Sequence, residues 1–166
     1  MDHPTLGEAL VDALREQAGG EAVVETGGLR ASARTAGAGR YGSELEQLTV
    51  EREAPRASAG RAERTRGVTE GIAGRVDYLG EPLELLECAP SHGRGQLRTR
   101  RDRVRGGEYF EVDVQGGDRV DVQRVRWNRE TGEREQRSHN AAHGTLQRLV
   151  DDLAELIDNA DEPAQD

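Results

Sequence analysis

Glycine punctuates this chain more strictly than any other feature. The pairs Gly19-Gly20, Gly27-Gly28, Gly106-Gly107 and Gly116-Gly117, with turns at 37–39, 80–82 and 131–132, punctuate its middle, which reads as a series of short antiparallel strands. Strands are expected at 21–26, 29–36, 41–50, 70–79, 83–88, 97–104, 108–115, 119–128 and 133–138. Residues 43–53 also read as a short helix, because Ser43 and Glu46 have capping-box spacing.

Helices are expected only at the two ends. Thr5 and Glu8 have capping-box spacing, and Leu6, Leu10, Ala13 and Leu14 form one apolar stripe before the Gly19-Gly20 stop. Leu146, Leu149, Val150, Leu153, Leu156 and Ile157 follow the i, i+3, i+4, i+7 rule. Helices at both ends and strands between them predict an α+β fold. The expected architecture is a curved, mainly antiparallel sheet of about seven to nine short strands, with the N-terminal and C-terminal amphipathic helices packed on one face. Residues 1–158 are expected to form a single domain, with 54–66 as a mobile loop, and 159–166 as a disordered acidic tail.

The core is expected to be thin. The chain of 166 residues has 15 Leu, 13 Val, 2 Ile and 1 Phe, so its 19 alanines must supply much of the filling. Its net charge is −9, and every one of its 23 basic residues is arginine. Without lysine, Schiff-base and P-loop chemistry is excluded. One cysteine excludes an intrachain disulfide and a four-cysteine zinc site. No cofactor is expected, nor a membrane span or a signal peptide, and the expected location is cytoplasmic.

Alternation around Gly116-Gly117 fixes a register. A three-residue loop at 116–118 pairs Val114 with Val120 and Val112 with Val122, and sets Asp113 against Asp121 on the outer face. A loop at 106–108 in the preceding hairpin would place Arg103 opposite Glu111 and Arg101 opposite Asp113, making a lattice of alternating charge. Val125 and Trp127 fall out of phase with Val122, which predicts a β-bulge near Gln123-Arg124.

Four features carry candidate chemistry. Gly37-Ala38-Gly39-Arg40-Tyr41-Gly42 fits G-x-G-x-x-G, although the polar run before it does not suit a buried parallel strand, so a glycine-rich turn is the simpler reading. Six arginines and one aspartate lie within 94–105, and Arg98, Arg100, Arg101, Arg103 and Arg105 are candidate partner contacts. An anionic protein fits this run better than nucleic acid, because the chain is acidic and no aromatic lies within the run. Cys88, His92, His139 and His143 have the ligand types of a zinc site. Seven acids and no bases lie between Asp151 and Asp166, an acidic surface suited to a basic partner or to solubility.

The expected function is a non-catalytic binding module, adaptor- or chaperone-like, whose partner is another protein. The two-ended helix layout looks like that of small bacterial secretion chaperones in topology, with no shared motif. The alternatives are a small metal-dependent enzyme or metal carrier built on Cys88, His92, His139 and His143, and a binder of a small apolar ligand in a concave sheet.

Overall fold

The computed structural model describes residues 3–17, 19–99, 107–128 and 130–160. Its elements run α1 (Leu6–Glu16), β1 (Gly20–Thr26), β2 (Leu29–Ala38), β3 (Gly42–Arg52), α2 (Arg61–Arg75), β4 (Leu83–Ala89), a 3-10 turn (Pro90–His92), β5 (Arg94–Thr99), β6 (Glu108–Gln115), β7 (Arg119–Trp127), β8 (Arg134–Arg137), β9 (His139–Ala142) and α3 (His143–Asn159). The fold is α+β, with an open, fully antiparallel sheet of nine strands among the described residues.

The sheet is two meanders joined side by side. Its order is β1-β2-β3-β7-β6-β5-β4, so β1–β3 and β4–β7 meet only along the β3–β7 ladder, from Gln47↔Gln123 to Glu51↔Arg119. Beyond that ladder the strands part. β9 takes the next place along β3 at residues 42–45, and β8 lies beside the far end of β7. The hairpin at 116–118 has the expected register: Val114 pairs with Val120, Val112 with Val122, and Asp113 with Asp121.

All three helices pack on one face. α1 lies over β1 and β2, α3 over β3, and α2 over β4, β5 and β6, with α3 also touching α1 and α2. Ala22, Ala31 and Ala33 are buried on the strands beneath α1. Small side chains let the helix approach closely, which is how a core with few large residues closes. Leu10, Leu14, Leu48, Val50, Val68, Ile72, Leu97, Leu146, Leu153 and Ile157 complete it.

The acids of α3 are mostly engaged within the fold. Asp151 accepts from Thr5 Oγ1 at 2.9 Å and from the Gly7 amide at 2.8 Å, so a carboxylate of α3 joins the Thr5 cap at the N-terminus of α1. Asp152 pairs with Arg75 at 3.0 Å and accepts from the Tyr78 hydroxyl at 2.6 Å. Burial and that bond hold the Tyr78 phenol protonated well above its ordinary range. Glu155 pairs with Arg75, and Asp158 lies 3.9 Å from Arg52. The last turn of α3 contains no basic residue, and Arg56 supplies the missing positive charge by donating to the Ile157 carbonyl at 3.0 Å.

Three expectations are corrected. α2 replaces residues 70–75 of the expected strand at 70–79 and residues 61–66 of the expected loop at 54–66, while 54–60 lie in neither helix nor strand. Its buried face is Arg64, Thr65, Val68, Thr69 and Ile72, with only two aliphatic residues to signal a helix. Thr65 and Thr69 can be buried because each hydroxyl donates to the carbonyl four residues back, at 2.8 and 2.6 Å. The β6–β7 ladder is unbroken from Glu108↔Arg126 to Gln115↔Arg119, so no bulge occurs at Gln123-Arg124. Val125 instead faces the outer side beside Tyr109, where both are buried. Residues 43–52 form strand β3, which resolves the strand-or-helix alternative. Asn159 and Ala160 end α3, and the rest of the expected tail lies outside the described residues.

α2 contains two glycines that nothing requires. A Cβ added at Gly67 or Gly74 meets no atom within 4 Å. Gly67→Ala and Gly74→Ala are each expected to stabilise the chain by about 0.5–1 kcal/mol through helix propensity alone. Urea titration of the double variant should show a higher midpoint at unchanged slope, and an unchanged midpoint would refute the expectation.

Candidate functional site: the open sheet face

The face opposite the helices is built by alternation. Burying Val112, Val114, Val120 and Val122 toward the helices turns Glu111, Asp113, Asp121 and Gln123 the other way. On β5, Leu97 is fully buried opposite Val112, which sends Gln96 and Arg98 outward. Opposite Glu111 stands Arg98, and opposite Asp113 stands Gln96. Arg98 and Gln96 thus take the places expected for Arg103 and Arg101, because Leu97 decides which residues of β5 face out.

A cavity of about 370 Å³ opens on this face across β4 to β8. Glu87, Arg94, Gln96, Glu111, Asp113 and Arg134 are among its lining. Glu111 is only 4% exposed although no described helix covers it. It accepts from Gln96 Nε2 at 2.6 Å and pairs with Arg134 of β8. Asp113 is half-buried between two other carboxylates. Burial first, then Glu111 and Asp121, push its carboxyl above the usual range, while Arg134 and a bond from Gln96 pull it back.

The charge lattice continues across the neighbouring strands. Asp121 accepts from Thr49 Oγ1 at 2.5 Å and from Arg119 Nε at 3.0 Å. Arg119 and Arg30 both approach Glu51 at 3.6 Å, and Arg30 also meets Glu25. Arg34 pairs with Glu46, while on the helix-facing side of β6 and β7 Arg124 and Arg137 both approach Glu108. Each exposed pair contributes at most about 1 kcal/mol, so the lattice organises the surface more than it stabilises the fold.

Of the candidate arginines, Arg98 lies on this face with its guanidinium 5.8 Å from the Tyr109 ring centre. Arg100, Arg101, Arg103 and Arg105 lie outside the described residues. The four candidate metal ligands do not converge. Cys88 is half-buried on β4 and His92 ends the 3-10 turn beside it, whereas His139 and His143 lie on β9 and at the start of α3. The sheet order inserts β5, β6 and β7 between the two pairs, at about 4.8 Å per strand. Among the described residues no three His, Cys, Asp or Glu side chains gather as metal ligands. His139 packs edge-on against Phe110 at 4.7 Å, and burial together with nearby Arg124 lowers its pKa to about 4. His143 is buried, with Nε2 2.9 Å from Ser43 Oγ, and burial holds its pKa below the usual range.

The G-x-G-x-x-G run is the β2–β3 hairpin tip, closed by the Gly39 amide on the Gly42 carbonyl at 2.8 Å. A strand follows it, not a helix, so no helix N-terminus is present to hold a pyrophosphate. Glu111, Asp113 and Arg134 were not singled out as site residues. In the sequence, the confrontation of Asp113 with Asp121 and the expected charge lattice bring out Glu111 and Asp113, and nothing local points to Arg134. No helix among the described residues is long and apolar enough to cross a membrane. Set against known protein families, curated proteins and solved structures, the chain matches none.

Proposed function

We propose that this chain is a non-catalytic binding module, adaptor- or chaperone-like, that holds a segment of a partner protein against its open sheet face. The observation that carries this reading is the nearly complete burial of Glu111 at a cavity on the one face the helices leave uncovered. Carboxylates, guanidiniums and the amides of Gln96, Gln115 and Gln123 line that cavity together. Such a mixture matches the peptide groups and polar side chains of a protein segment, and it suits an apolar ligand poorly.

A display library of random dodecapeptides selected on the purified protein provides the test. Enriched peptides should bind saturably and weaken about tenfold when the exposed rim residues are changed to Arg94→Glu and Gln115→Arg. Failure to enrich, or enrichment indifferent to both changes, would overturn the proposal.

A further inference from the structure

The β2–β3 hairpin tip holds the most exposed large hydrophobic side chain among the described residues. Tyr41 is 78% exposed, yet its backbone is fixed on both sides. Its carbonyl accepts from the His143 amide at 2.9 Å. Gly42, next in sequence, pairs with Ala142 of β9 and has its carbonyl bound by the Gly39 amide. Ser43 then bonds the buried His143 ring. The aromatic side chain thus projects from a rigid base. The ordering entropy of the backbone beneath it is already spent before any contact forms, which favours an interface anchor.

The surroundings select the occupant. Arg40 stacks on Tyr41, its guanidinium 5.8 Å from the ring centre, and forms no ion pair among the described residues. Arg15, from the last turn of α1, lines the same surface depression of about 620 Å³ with Ala38, Gly39, Arg40 and Tyr41. Its ion pair with Asp12 is long, 3.8 Å, and exposed. Two cations and an aromatic therefore share one corner of a chain whose net charge is −9.

We propose that Arg15, Arg40 and Tyr41 form a docking site for an acidic, aliphatic-bearing peptide segment of a partner protein. The two guanidiniums fork onto carboxylates, and the Tyr41 ring packs on an aliphatic side chain between them. A nucleic-acid strand is the disfavoured occupant, because the acidic surface beyond this corner repels a continuous phosphate backbone. The site stands apart from the open sheet face and does not depend on it.

Fluorescence anisotropy with a labelled Glu-Glu-Leu-Asp-Glu-Leu-Asp-Glu peptide, beside a labelled twelve-nucleotide oligo-dT, tests this. The peptide should bind saturably at 50 mM salt and weaken as salt is raised. Arg40→Gln and Tyr41→Ala should each weaken it by about tenfold. Both side chains are exposed, so Tm should stay within a few degrees of wild type and loss of binding will not report misfolding. Absence of saturable peptide binding, binding unchanged in both variants, or tighter binding of oligo-dT than of peptide would each overturn the proposal.

Discussion

Arg56→Met is expected to destabilise the chain by about 3 kcal/mol, lowering Tm by roughly 6–12 °C in thermal denaturation. The Arg56 side chain is 8% exposed. Its head group donates to Asp118 Oδ1 at 2.7 Å, to the Gly117 carbonyl at 3.1 Å and to the Ile157 carbonyl at 3.0 Å. Methionine retains most of the buried stem, so the loss reports on the guanidinium. Asp118 and the end of α3 then lie poorly solvated without their donor. Arg66→Met, on the exposed side of α2, makes the same chemical change and should move Tm by little more than 1 °C. Equal Tm values for the two variants would refute the account.

Gly117→Ala is expected to be at least as damaging, about 3 kcal/mol or more by urea titration. Gly117 sits at φ +74°, and a Cβ there would lie 2.6 Å from Arg64 Cβ and 2.8 Å from the Arg64 carbonyl carbon. Those atoms belong to the backbone and stem of α2, so relief requires the helix to shift. Gly116 provides the internal comparison. It has a similar φ of +63°, but its nearest neighbours are Arg61 side-chain atoms at 3.7 Å. Gly116→Ala should therefore show only the left-handed penalty of about 1–2 kcal/mol. Because Arg56 also holds the Gly117 carbonyl, the Arg56→Met and Gly117→Ala losses should sum to more than the double variant shows. Strict additivity would mean that the two residues do not share one clamp.

What could be read from the sequence was whatever alternation or periodicity encodes. Val112, Val114, Val120 and Val122 pointed to the hairpin register, because a one-residue slip, as a two-residue loop would impose, sets valine against carboxylate. The two terminal helices announced themselves through leucine spacing. α2 did not, since its buried threonines satisfy their own hydroxyls and Arg64 bonds the carbonyls of Ala57 and Ala59. Those compensations exist only once the helix has formed. The open face was half legible. Its opposed carboxylates followed from the hairpin, but its arginines depended on whether Leu97 or its neighbours faced inward, and the run 94–105 offers only Leu97 and Val104, seven positions apart, which strict alternation assigns to opposite faces. Arg134 reaches Glu111 from a strand 23 residues away, a distance no local pattern reports.

The meeting of the two meanders at one ladder sets an order of events during synthesis. β1, β2 and β3 can pair as soon as they leave the ribosome, since each neighbours the next in sequence. β3 must then wait with its second edge open until β7, about seventy residues later, has emerged. Over that interval the growing chain displays an unpaired strand carrying Leu48 and Val50, the feature by which nascent sheets join the wrong neighbour. The delay lengthens as translation slows, so slow codons between residues 53 and 118 prolong the exposure of this open edge.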